Sequence, residues 1–411
     1  MTDSSRNWLV STLLVAGGLA GAGCAANAGS SVAPFTPRAR AAHVVLPSSV
    51  QPGVRSLQLT GANPWAGLIN VGSLLYGTTQ YGGSSNKGVV YKISVGGVEK
   101  PIHSFAGPPD GEYPIGPVLR VASCSCLYGT TQVGGTSNDG TIFAAKFAGG
   151  DNVLHSFAGS DGIQPLGRLI EVGPAIYGTT YAGGAHGVGT VFKITISGSV
   201  LTTLHSFGAT HSDGASVYAG LLHVGPYLYG TTNGGGANNL GTVFKIKPNG
   251  TGYHVLHKFS GGADGALPDG NLIVDNGVLY GTTSQGGAAN VGTVFKITTG
   301  GVENVVSAFG VAPDGAYPYG ALINLSGTYY GTTESGGSSG LGTIFSVTSG
   351  GSETVLHSFT GAPSDGRVAA STLHKVGTFL YGTTLYGGTN DLGTVFKFAT
   401  PGGPETPIYS F

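Results

Sequence analysis

Charge is scarce in this chain. Of 411 residues only 18 are Lys or Arg and 19 are Asp or Glu, 9% in all, against about 25% in an average protein. Net charge is −1 with no basic cluster, so the electrostatic footprint of a nucleic-acid binder is missing and that class is excluded. Long apolar runs are absent beyond residue 24, and no stretch has helical periodicity. Carboxylates are few and scattered. Glu334 is the only Glu in any loop between the second and third β segments of a repeat, so the opposed acid pair of a glycosidase is not visible.

Glycine, by contrast, is abundant, with 76 residues. The chain favours tight turns over helices. Hydrophobic residues at 40% and aromatics at 9% are enough for a packed core, so the glycine excess does not signal disorder. The tetrapeptide Tyr-Gly-Thr-Thr starts at Tyr76, Tyr128, Tyr177, Tyr229, Tyr280, Tyr330 and Tyr381. A unit of about 50 residues is too small to bury its own core, so the copies must stack on one another.

Each copy reads as four short β segments bounded by turn residues. In the fifth they are Gly270-Asn271-Leu272-Ile273-Val274, Val278-Leu279-Tyr280-Gly281-Thr282-Thr283, Gly292-Thr293-Val294-Phe295-Lys296-Ile297 and Val305-Val306-Ser307-Ala308-Phe309. Four strands per copy and seven copies predict an all-β fold, a seven-bladed β-propeller of four-stranded antiparallel blades. The longest link follows the last segment, where the chain crosses from the outer edge of one blade to the inner strand of the next. The segments are therefore strands A (innermost) to D, and B–C loops and D–A links emerge on one face. Closure is left open, because both Val54-Arg55-Ser56-Leu57 and Pro407-Ile408-Tyr409-Ser410-Phe411 resemble a strand D.

The first 24 residues read as an export signal. Arg6 precedes an apolar stretch from Trp8 to Ala22, and Gly21-Ala22-Gly23 leads into Cys24. This resembles the lipobox of bacterial lipoproteins, which implies cleavage before Cys24 and lipid attachment to it. Ordinary signal-peptidase cleavage and an uncleaved anchor are the alternatives. All three place the repeats outside the cytoplasm, anchored to a membrane or cell surface in the first and third cases. Residues 25–52 are rich in Ala, Ser and Pro and read as a flexible tether with a reach of about 30 Å. The propeller occupies residues 53–411.

The recurring Leu-Tyr-Gly-Thr-Thr, Gly-Gly, Gly-Thr-Val-Phe-Lys, Leu-His-Ser-Phe and Asp-Gly elements resemble the GloVer tandem repeat of bacterial choice-of-anchor surface proteins. The resemblance covers residues 53–411 and implies an exported, anchored repeat domain without an established biochemical activity. The length and Gly-Gly doublet are also similar to kelch repeats, but kelch blades carry a Trp each and this chain has only Trp8 and Trp65.

Most recurring residues have structural readings. The Gly-Gly doublets supply positive-φ turn positions. Gly77 and its equivalents lie mid-strand, where close approach of a neighbouring blade is expected. The Thr pairs fit β propensity without further explanation. Asp110, Asp161, Asp213, Asp264, Asp314 and Asp365 precede glycines and read as turn-stabilising residues; each link offers only one such carboxylate against the six to eight oxygens of a Ca²⁺ site, and calcium is the minor alternative. His103, His155, His205, His257 and His357 are expected as half-buried, hydrogen-bonded strand residues, too far apart to share a zinc ion. Cys124 and Cys126 could pair, remain free or bind a metal weakly. No cofactor or metal is expected.

The variable tyrosines are the candidate ligand-binding residues. Tyr81, Tyr181 and Tyr386 fall in B–C loops, and Tyr113 and Tyr317 precede a proline in D–A links, so all five should decorate one face. Rigid aromatic surfaces with polar tips suit a glycan or an extracellular protein. The expected function is non-enzymatic binding on that face. The alternatives are a polysaccharide hydrolase or lyase, which would gather consensus-breaking residues such as His186, Glu334 and Arg367, and a purely structural envelope protein.

Overall fold

Seven four-stranded antiparallel sheets follow one another along the chain as a seven-bladed β-propeller, in residues 69–104, 119–156, 170–206, 222–258, 273–308, 323–358 and 374–410. The computed structural model describes residues 60–198 and 200–411. The export signal with Cys24, the tether and the strand-like residues 54–57 lie outside the described residues. In blade 1 strand A is Ile69–Val71, B is Leu74–Thr79, C is Val89–Ser94 and D is Glu99–Ser104, paired in the order A-B-C-D. Strand A of blade 1 touches strand A of both blade 2 and blade 7, which puts the A strands at the axis. Closure falls to the C-terminal segment, since Glu405–Ser410 pairs as strand D of blade 7.

The core lies between blades. Seven buried clusters each straddle two successive blades, including one joining blade 7 to blade 1 through Tyr381, Val395 and Phe411 against Leu68 and Leu75. The Phe that ends each strand D is the recurring bridge. Phe207 packs edge-on against Phe244 of the next blade at 5.2 Å, and Phe259 against Phe295 at 5.2 Å. Burying one such ring contributes about 1.5–3 kcal/mol. Strand D carries a bulge in every blade. The extra residue is apolar (Leu154 in blade 2, Leu204 in blade 3) and packs into the border with the next blade.

Two expectations for the Tyr-Gly-Thr-Thr strand are corrected. The glycine makes room for its own blade: a Cβ at Gly230 would lie 2.6 Å from Cζ of Phe244, which faces it on strand C. The threonines have specific partners. The first donates to a backbone carbonyl of the next blade, as in Thr179 to Ala219 (2.8 Å) and Thr332 to Ser371 (2.8 Å). The second donates to the carbonyl two residues on in every blade, as in Thr79 to Tyr81 (2.8 Å), starting the B–C loop. The glycine doublets do take positive φ, 85° and 76° at Gly82 and Gly83.

Candidate functional site

B–C loops and D–A links leave the propeller together and pair with each other, as Gly61 with Gly82 and Ala62 with Tyr81. One link position has φ near +60° in all seven blades: Asn63, Tyr113, Gln164, Ser216, Leu267, Tyr317 and Val368. Its N–H donates to the preceding blade's loop and its carbonyl accepts from the following blade, as in Tyr113 to Lys87 (2.9 Å) and Gln132 to Tyr113 (3.1 Å). A backbone bridging two blades in opposite directions accounts for the left-handed conformation, even at the β-branched Val368. The side chain there is not fixed by the fold and varies freely.

All five candidate tyrosines are half-buried on these loops and links, and three come together. Tyr81 meets Tyr113 edge-on at 5.3 Å. Burial raises the Tyr81 pKa, and proximity to Tyr113 and Tyr386 adds to the rise. The Arg367 guanidinium lies 4.5 Å from the Tyr386 ring centroid and is held by Asp391 through Nε (3.1 Å) and Nη2 (2.7 Å). Lys87 lies 5.2 Å over Tyr113 and is paired with Glu112. The result is a strip of three rings across blades 7, 1 and 2, ended by two neutralised cations. Tyr181 packs instead on Tyr218 at 4.8 Å, and Tyr317 sits in the link between blades 5 and 6. Of the residues that would mark a hydrolase, Arg367 is committed to Asp391, and His186 of blade 3 lies beside Gly208.

The His and Asp readings merge at the outer blade borders. His155 Nε2 lies 2.8 Å from Asp161, and the same pair forms at His103–Asp110, His205–Asp213, His257–Asp264 and His357–Asp365. The expectation of one carboxylate per site is corrected, because strand D of the next blade contributes another. His103, Asp110 and Asp151 form one set, His257, Asp264 and Glu303 a second, and His357, Asp365 and Glu405 a third, with ligand atoms within 4.8 Å of one another. One ion could span that distance. Proton sharing accounts for the sets more simply. Burial works to raise the Asp365 pKa, but His357 and the Thr360 and Gly366 N–H groups outweigh it and leave it lowered. Burial and then the Asp365 charge push Glu405 up to about 8. One oxygen of Glu405, and of Glu303, is buried without a hydrogen-bond partner, which a neutral carboxyl tolerates better than a carboxylate. At the border of blades 3 and 4 Tyr253 replaces the acid, stacking on His205 at 3.7 Å and donating to Asp213, beside an open cavity of about 360 Å³.

Cys124 and Cys126 are disulfide-bonded, with Cα atoms 5.3 Å apart, in the A–B turn on the opposite face. That resolves the three alternatives for this pair.

The pattern of the Gloeobacter/Verrucomicrobia repeat matches residues 53–176, 152–334 and 290–411. The chain belongs to this repeat family. No curated protein matches it. Among solved structures, puromycin hydrolase, as the S511A mutant complexed with PGG, aligns with a TM-score of 0.55 at 9% identity, over 86% of this chain and 54% of that one. The puromycin-hydrolyzing peptidase of Mycobacterium tuberculosis gives 0.51 at 10% identity over the same shares. The repeat chain thus spans about half the length of these peptidases. A candidate 6-phosphogluconolactonase from Bacteroides uniformis gives 0.51 at 16% identity, over 83% of this chain and 95% of that one. At such identities the likeness is one of fold alone.

Proposed function

We propose that this repeat domain is a non-enzymatic binding platform, held outside the cytoplasm through lipid on Cys24, and that it takes a glycan on the face of the B–C loops and D–A links. The observation that carries the reading is the strip of Tyr386, Tyr81 and Tyr113 from successive blades. A half-buried ring is held in place and keeps a face for the C–H surface of a sugar, and covering about 40 Å² of such a ring contributes about 1 kcal/mol. Arg367 and Lys87 are each neutralised by a carboxylate. The strip therefore presents polar hydrogen-bonding ends without net charge, which suits a neutral saccharide better than an acidic one.

A glycan array probed with the purified chain tests this. Binding that disappears in a variant with Tyr81, Tyr113 and Tyr386 all changed to Ala supports the platform. Absence of binding to any saccharide overturns the glycan reading and favours a protein partner on the same rings. Retention of every wall and envelope property by the triple variant would favour a purely structural role.

A further inference from the structure

In a sevenfold repeat, specialisation shows where one blade departs from the others. Two columns at the axis do so. The residue two places before the first pairing position of strand A is small or proline in four blades (Gly67, Pro117, Gly220, Ala321) and polar in three, Arg168, Asn271 and Thr372. The first pairing position itself is Ile or Leu in six blades and His374 in the seventh.

These residues form part of a continuous inner ring at the end of the channel that the D–A links enter. A Cβ at Gly220 would collide with the backbone of Arg168, and one at Gly67 would lie 2.9 Å from the Thr372 carbonyl oxygen. Asn271 Oδ1 accepts the Gly220 N–H, and Thr372 Oγ1 accepts the Ala321 N–H at 3.0 Å. Neighbouring backbone N–H groups thus donate to the Asn271 carbonyl oxygen and the Thr372 hydroxyl oxygen, leaving the Asn271 NH₂ and the Thr372 O–H as donors. Arg168 keeps solvent-accessible surface, although crowding by surrounding protein lowers its pKa through desolvation, and no ion pair or hydrogen bond holds its side chain among the described residues. Arg168 and His374 stand at the start of strands that line one axis, in blades 3 and 7; burial, and then the Arg168 charge, lower the His374 pKa. Asp269, a nearby carboxylate on the links, is held by Asn233 (2.8 Å) and Ser284 (2.9 Å).

We infer that the inner ring is a binding site for an oxyanion, a carboxylate or phosphate group, seated on the Arg168 guanidinium with His374, Asn271 and Thr372 as further donors. A guanidinium matches either group with two parallel hydrogen bonds. Every free group named here donates or can carry positive charge. The site is separate from the tyrosine strip and stands whether or not that strip binds sugar.

The test is an NMR titration of the histidine ring resonances of the full chain with inorganic phosphate and, separately, with glucuronate, at ionic strength matched by chloride. Saturable shifts of the His374 ring with a raised His374 pKa, weakened about tenfold or more in Arg168→Gln, are expected. Response to phosphate alone assigns a phosphate ligand, and response to glucuronate alone a carboxylate. No saturable response of the wild-type chain to either anion overturns the site, and so does an undiminished response in folded Arg168→Gln. Should that variant fail to fold, the wild-type titration and a His374→Ile variant, whose calorimetric affinity should fall, decide the question.

Discussion

Thr383 donates its hydroxyl to the carbonyl of Ala66 at 3.0 Å, across 317 residues of chain. It is the same contact that Thr179 makes with Ala219 and Thr332 with Ser371, here used to close the ring. Among the described residues the closing blade takes all four strands from one stretch of chain. Thr383→Val should destabilise the propeller by about 1 kcal/mol, or up to about 3 if the Ala66 carbonyl stays buried and unpaired. Chemical denaturation of Thr383→Val and Thr179→Val checks this. Equal losses are expected if closure is one more blade border of the same kind.

The steric role of the mid-strand glycine gives a paired prediction. Gly230→Ala should cost about 1–3 kcal/mol, because the added methyl meets the Phe244 ring. Shortening the ring in Gly230→Ala/Phe244→Leu should recover part of that loss relative to the sum of the single changes. A strictly additive double-mutant cycle would point back to the neighbouring blade.

The border carboxyls predict a pH dependence with a definite sign. Glu303 is pushed up to about 7 and Glu405 to about 8, from an ordinary value of 4.5. Between these values the folded chain holds protons that the unfolded chain has released, so stability falls as pH rises from about 4.5 to about 8. Each such group contributes a slope of at most about 1.4 kcal/mol per pH unit. Asp213 and Asp365 are lowered instead; their contribution is present above pH 3.8 and is lost as pH falls through their folded values. Denaturation midpoints should therefore peak near pH 4–5 and decline towards neutrality. Glu405→Gln, neutral at every pH, should decline less steeply, and a profile identical to wild type would remove Glu405 from the explanation.

The disulfide should be dispensable for binding. Cys124 and Cys126 lie on the face opposite the tyrosines and enclose a loop of very few residues, so little chain entropy is at stake. Changing both to Ser should leave saccharide affinity unaltered in a calorimetric titration.

The seven Tyr-Gly-Thr-Thr motifs made blade number, strand order and the loop-bearing face legible, because each rests on spacing and turn chemistry within one repeat. Contacts between repeats were not legible. The Thr179 partner lies 40 residues away, and no propensity argument points to it. Asp365 gains Glu405 from the next blade's outer strand, a neighbour that single-copy reading counts as absent. Convergence of Tyr81, Tyr113 and Tyr386 needed the ring to place blade 7 beside blade 1. Arg168 and His374 carried a readable signal, since aligning the copies column by column exposes both as departures.

The most direct measurement is calorimetric titration of the tightest array saccharide into the wild-type chain, the Tyr81/Tyr113/Tyr386 triple alanine variant and Tyr317→Ala. A loss on the order of a hundredfold in the triple variant, with Tyr317→Ala near wild type, is predicted from about 1 kcal/mol for the apolar surface covered on each ring. Equal affinity of the triple variant and the wild type would contradict the account.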